Sequence, residues 1–233
     1  MKIGLLACDF VNPDFLEIDG DIPEMFAGLI KHSKIDADWQ VYRVWEGEIP
    51  SSTCECEAWL TSGSRSSVYQ EEDWIRQFGE FITALHEDRR KTVGVCFGHQ
   101  MIAQALGGEV RRSDHGWGIG VREIKITTEE PWMEPSLKRV RMLFTHQDQV
   151  EKLPPGARLL GSADHCPHAM FAMGEHMLAL QPHPEYSRAY LRALIQSREA
   201  IIDHPTYQAG LDSLEQKPHR EEPAAWLHHF LTS

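Results

Sequence analysis

Apolar residues recur along this chain at two spacings, and the change from one to the other marks its elements. Lys2 to Ala7 is a short, nearly continuous apolar run, the pattern of a strand buried on both faces. A polar stretch with Pro13 and Gly20 follows and reads as a loop to Asp21. Pro23 then suits the first turn of a helix to about Lys34. Trp39 to Val44 and Ala58 to Thr61 read as further strands, with Cys54-Glu55-Cys56 as loop between them. Between Asp73 and Asp88 the spacing becomes helical, with Trp74, Phe78, Phe81, Ile82 and Leu85 on one face. Thr92 to Val95 is again strand-like, and Gln100 to Leu106 helix-like, closed by Gly107-Gly108. The order β-α-β-β-α-β-α predicts a mainly parallel central sheet flanked by helices, in three layers.

After Gly108 the runs shorten and alternate. Val110–Arg112, 119–127, 140–145, 158–163, 169–173 and 177–181 read as short strands, several alternating as half-buried antiparallel strands do, with a close approach or bulge at Gly116-Trp117-Gly118. From Tyr186 the pattern is helical to the end. Tyr190, Leu191, Leu194, Ile195, Ile201 and Ile202 make one apolar face, and Pro205 and Pro223 open two more helices. The expected organisation is one α/β domain over 1–185 and a helical extension over 186–233 packed on it.

Two stretches carry the candidate chemistry. Gly94-Val95-Cys96-Phe97-Gly98-His99-Gln100 places a thiol between a strand and a helix, flanked by glycines that permit a sharp bend. The start of a helix favours an anion, so a thiolate is favoured there. Gln181-Pro182-His183-Pro184-Glu185 is the second. Pro184 pushes His183 into an extended conformation, where residues two apart point to the same side. His183 and Glu185 then face one way, and with Cys96 they supply the nucleophile, base and orienting acid of a Cys-His-acid triad.

Composition narrows the setting. With 23 basic and 35 acidic residues the net charge is −12, which argues against nucleic-acid and anionic-membrane partners. No apolar run reaches the roughly 18 residues of a membrane span, and the N-terminal run is too short for a signal peptide. Five cysteines, an odd number, fit reduced thiols in a cytoplasmic protein. Neither Cys54/Cys56, nor 165–168, nor His228-His229 has the spacing of a common metal site, so no metal or cofactor is expected.

Taken together, these motifs resemble the class I (triad-type) glutamine amidotransferase family. Its Gly-x-Cys-x-Gly-x-Gln elbow matches 94–100, its His-Pro-Glu matches 183–185, and its Ser-His-Gly-Asp and Cys-Pro-x-Ala segments correspond to 145–148 and 166–169. Within the family the chain is similar to free-standing members such as plant γ-glutamyl peptidases, and to the glutaminase domain of GMP synthetase. The resemblance implies a flavodoxin-like glutaminase fold and a γ-glutamyl substrate, glutamine or a γ-glutamyl peptide. It implies that Cys96 attacks the amide carbon, His183 moves the proton and Glu185 fixes the imidazole. It places oxyanion donors at the backbone N–H groups of Ser64 and Phe97, and substrate contacts at Gln100, Thr145 and Gln147. Where the family often has Ser-Gly-Gly-Pro, this chain has Ser62-Gly63-Ser64-Arg65, which leaves open whether the oxyanion hole is preformed and offers Arg65 to a substrate carboxylate. Pro182 is a second departure, expected to stiffen the histidine segment. Three activities follow as alternatives: a self-sufficient hydrolase, a glutaminase subunit handing ammonia to a synthetase partner, or a non-catalytic binding module.

Overall fold

Strand β1 (Lys2–Ala7) shows how the layers arise. Side chains alternate across a strand, so Ile3, Leu5 and Ala7 enter one apolar cluster while Leu6 and the following Cys8 enter another on the opposite face. The protein is described by a computed structural model covering residues 1–233. Its parallel half runs β2 (Asp38–Arg43), β1, β3 (Ala58–Thr61), β4 (Lys91–Val95), β11 (Met177–Leu180). The same sheet continues antiparallel through β10 (Cys166–Met173), β9 (Ala157–Ala163), β6 (Gly118–Ile126) and β7 (Arg139–His146). A separate two-stranded ribbon pairs β5 (Glu109–Arg112) with β8 (Asp148–Lys152).

Helices cover both faces. On one side lie α2 (Ile22–His32) and, from the far end of the chain, α7 (Glu221–Thr232), with Phe26, Ile30, Trp226 and Phe230 in one apolar cluster with Ile3 and Leu5. On the other lie α3 (Asp73–Glu87) and α4 (Phe97–Ala105), with Phe78, Ile82 and Ile102 against Leu6 and Trp59. Each such fully buried apolar side chain contributes about 1.5–3 kcal/mol. Asp21 and Glu24 cap the start of α2 reciprocally, and Pro23 sits in its first turn. Helix α5 (Arg188–Gln196) buries Leu191 and Ile195 in one cluster with Ile119, Val121 and Leu143 of the antiparallel half, and α6 (His204–Ser213) packs Leu211 against it. No helix is long and apolar enough to cross a membrane.

Several local expectations needed correction. The stretch from Cys8 to Asp21 is not all loop. Asn12 caps a 3-10 turn at Pro13–Phe15, which leads into the four-residue α1 (Leu16–Asp19). Thr53–Glu55 is likewise a 3-10 turn, capped by Ser52. Helix α4 starts at Phe97, directly after the cysteine, three residues earlier than the apolar spacing suggested. Ile201 is 65% exposed and leaves the apolar face assigned to it, because the chain turns between α5 and α6.

Candidate active site

Cys96 follows β4 and caps α4, and its backbone is held at φ 51°, ψ −98°. A non-glycine residue there carries roughly 1–3 kcal/mol of strain, so its surroundings must enforce it. They do so from both sides: Cys96 N–H donates to Leu180 O at 2.8 Å, and its carbonyl accepts from Gln100 N–H at 3.0 Å. The flanking glycines make the bend possible. A Cβ on Gly94 would lie 2.7 Å from the Gly98 carbonyl, and one on Gly98 would overlap the Thr61 hydroxyl. Phe97 occupies the first helical position, where an N–H has no intrahelical acceptor. Burial pushes the other buried thiols up: Cys8 well up, Cys56 up, and Cys166 up to about 12.

His183 arrives on the segment after β11. Its N–H donates to Leu143 O at 2.8 Å, and Gln181 N–H to Ala169 O at 2.9 Å, which ties the segment across the sheet ends. His183 Nδ1 lies 2.7 Å from Glu185 Oε1, and both side chains are 2% exposed. Tyr186 stacks on the imidazole with centroids 4.1 Å apart and planes 7° from parallel. The other ring nitrogen, Nε2, is buried without a conventional hydrogen bond. Burial alone would lower the imidazole pKa, but the Glu185 carboxylate and the Cys96 sulfur beside it together outweigh burial and raise it to about 10. The approach is tight enough to require Gly63, whose Cβ would lie 2.9 Å from His183 Cε1 and 3.5 Å from Cys96 Cβ.

An open cleft meets Cys96 and His183. Gly63, Ser64, Arg65 and Thr145 also line it. Gln100 and Gln147 do not. Gln100 is 3% exposed, and its amide donates to Asp148 O at 2.8 Å and to Gln181 Oε1 at 3.0 Å. Gln147 is half-buried, and its carbonyl accepts from Ser113 N–H at 2.9 Å. Arg65 is already engaged. Its Nε and Nη2 bind the two Asp9 oxygens at 2.9 and 2.6 Å, and its guanidinium lies 4.5 Å from the centre of the Phe10 ring. Asp9, Phe10, Tyr186, Tyr190 and Arg198 complete much of the wall.

These parts can deprotonate a thiol, return the proton to a departing group and bind an anion. The model of the family described as "Glutamine amidotransferase class-I" matches residues 32–197. This chain belongs to the class-I glutamine amidotransferase family. "Gamma-glutamyl peptidase 2" of Arabidopsis thaliana is 30% identical over 187 residues, covering 76% of this chain and 75% of the relative. "Gamma-glutamyl peptidase 4" of the same plant is 34% identical over 164 residues, covering 67% of this chain and 65% of the relative. A GMP synthase [glutamine-hydrolyzing] of Pyrobaculum aerophilum is 34% identical over 140 residues, 60% of this chain but only 26% of the relative. In fold, a glutamine amidotransferase of Thermotoga maritima superposes with a TM-score of 0.75 at 20% identity, covering 99% of this chain and 96% of that one.

The class-I match stops one residue short of Arg198, a cleft residue that sequence reasoning missed. Its guanidinium donates from Nη1 to the Thr145 hydroxyl and lies 5.0 Å from the centre of the Trp117 ring. It has no carboxylate partner, unlike Arg65. Burial pulls its pKa below the usual arginine value, against the opposite pull of Tyr186 and the Cys96 sulfur. Asp9 and Tyr190 were missed as well. Nothing in a helical tail or a polar loop marks such residues, since only the fold brings 9, 65, 190 and 198 to one cleft.

Proposed function

We propose that this protein hydrolyses the γ-glutamyl amide bond of glutamine or a γ-glutamyl peptide through a thioester on Cys96. The observation that carries the proposal is the arrangement of Cys96 at a strained elbow beside His183, whose imidazole is fixed by Glu185 at 2.7 Å. The relatives named γ-glutamyl peptidases, at 30% and 34% identity, support the substrate class.

The raised imidazole pKa suits His183 to take up the thiol proton and hold it. The thiolate attacks the side-chain amide carbon, and the carbonyl oxygen becomes an oxyanion held by the N–H groups of Phe97 and Ser64. Loss of one such donor in a protease costs about 2.7–4 kcal/mol. His183 passes its proton to the leaving nitrogen, and ammonia or the amine departs. A water, deprotonated by His183, then attacks the thioester. Collapse of the second oxyanion releases glutamate and restores the thiolate and imidazolium. Glu185 holds the imidazole in the orientation both steps need. Arg198 is the cleft cation without a carboxylate partner, and it takes the substrate α-carboxylate, with Thr145 beside it. Arg65, neutralised by Asp9, serves the loop instead.

Phe10, Phe15, Tyr190 and Leu194 give the cleft an apolar wall, which suits a departing peptide amine better than ammonia. A second activity, delivery of ammonia to a synthetase partner, is favoured by the match to part of a glutamine-hydrolysing GMP synthase. Glutamate release from glutamine and from γ-glutamyl dipeptides, with Cys96→Ala as control, separates the two. Turnover of a dipeptide by the isolated protein, lost in the variant, supports the hydrolase. No turnover of any substrate would count against self-sufficient hydrolysis.

A further inference from the structure

The loop that carries Ser64 is pinned peptide by peptide. The Ser62 carbonyl accepts the N–H of Gly98 from α4 at 3.3 Å. One residue on, the Gly63 carbonyl accepts the Ser62 hydroxyl at 2.9 Å. That hydroxyl is itself oriented, because it accepts the N–H of Cys8 at 2.9 Å from the end of β1. A hydroxyl has one hydrogen to give and lone pairs to receive, so both contacts are made at once. Next, the N–H of Arg65 donates to Asp9 Oδ2 at 2.8 Å. Three successive peptide units therefore each have one group fixed, the first and third from outside the loop and the middle one by the Ser62 hydroxyl.

The middle unit joins Gly63 to Ser64. In a trans peptide the C=O and N–H point in opposite directions. Anchoring the Gly63 carbonyl on the Ser62 hydroxyl therefore also sets the direction of the Ser64 N–H. That N–H finds no acceptor within the protein. Glycine at 63 is obligatory for the close approach to His183, yet glycine also lets the following peptide flip at little steric cost. The Ser62 hydroxyl holds the one orientation seen here.

We propose that Ser62 and Asp9 are positioning residues that hold the Ser64 N–H toward Cys96, so that the oxyanion hole is formed before substrate arrives. Donors fixed in advance need no reorganisation when charge develops. The inference rests on the γ-glutamyl hydrolase reading above, and its test is separable from that of the reading.

The test compares two probes of Cys96 in the full chain, for wild type, Ser62→Ala and Ser62→Thr. A chloroketone analogue of glutamine must place its carbonyl oxygen in the hole, whereas iodoacetamide alkylates the thiolate by direct displacement. In Ser62→Ala, ketone labelling and kcat fall about 10- to 100-fold, less than the roughly 10²–10³ for deleting a donor outright. The iodoacetamide rate and KM change by less than about twofold, and Ser62→Thr, which keeps the hydroxyl, restores most of the loss. Asp9→Ala shifts the same ratio in the same direction. Unchanged ketone labelling and kcat in Ser62→Ala would overturn the proposal. So would a parallel fall in iodoacetamide labelling, since that would mean a disturbed thiol rather than a misplaced N–H. A wild-type protein alkylated by iodoacetamide but neither labelled by the ketone nor active would instead overturn the γ-glutamyl reading, and this inference with it.

Discussion

Glu185 reaches His183 through one oxygen, while its other oxygen is buried without a partner. Its role is therefore concentrated in a single contact. Glu185→Gln is expected to lower kcat about 10- to 1,000-fold by disturbing the imidazole orientation, with little change in KM. A kcat within twofold of wild type by steady-state kinetics would remove Glu185 from the mechanism. Arg198 makes a different prediction. A charge-assisted hydrogen bond is worth about 1.5–3 kcal/mol, so Arg198→Ala should raise KM roughly 10- to 150-fold and leave kcat nearly unchanged. A fall in kcat at constant KM would contradict a role in holding the carboxylate. The contrast between these residues also shows what a sequence can reveal. His183 and Glu185 are two apart in an extended segment, so their common direction is a local property. Arg198 meets Thr145 across 53 positions of sequence, and no local pattern encodes that meeting.

Among the elements, the strand-turn-helix from Lys91 to Ala105 is the most constrained. Gly98 lies against Thr61, and a methyl group there would overlap the threonine side chain. Gly98→Ala should cost about 1–3 kcal/mol through overpacking, lowering Tm by several degrees for a chain of this size. An unchanged Tm would mean that the elbow has room the structure does not show. This element was legible because its glycines, apolar run and helix start all point the same way. Strand β8 was not: Asp148–Lys152 is short and polar, and it is ordered by pairing with β5 from a distant part of the sequence. Helix α1 was hidden for a related reason. Its four residues include the exposed Leu16 and Ile18, so no buried stripe announces it. The layering itself was readable, since the strands of the parallel half are dense in apolar residues and α3 has a clean apolar face.

At the scale of the molecule, buried histidines give stability a dependence on pH with opposite signs at its two ends. His99 and His146 are fully buried and hydrogen-bonded to the carbonyls of His168 and Asp148, and burial pulls their pKa values from 6.5 down to about 3. Below pH 6.5 the unfolded chain binds protons that the folded one refuses. Stability is then lost as pH falls toward 3, at about 1.4 kcal/mol per pH unit for each group. His183 works in reverse, because its pKa is raised to about 10: its contribution is complete below 6.5 and disappears as pH rises through 10. Replacing His99 with Gln should make the fall in Tm between pH 6.5 and 4 shallower. An identical slope in the variant would show that His99 is not the group titrating. The same fold that buries these histidines brings residues 9, 65, 96, 183 and 198 from five separate segments to one cleft.

The most direct test of the chemistry is to catch the intermediate. The protein would be mixed with a γ-glutamyl dipeptide, quenched in acid within its first turnovers, digested and read by mass spectrometry. A glutamyl adduct on the peptide containing Cys96, absent from Cys96→Ala and gone once the substrate is consumed, is the expected result. Release of glutamate without such an adduct, at a rate that survives Cys96→Ala, would contradict thioester catalysis at this site.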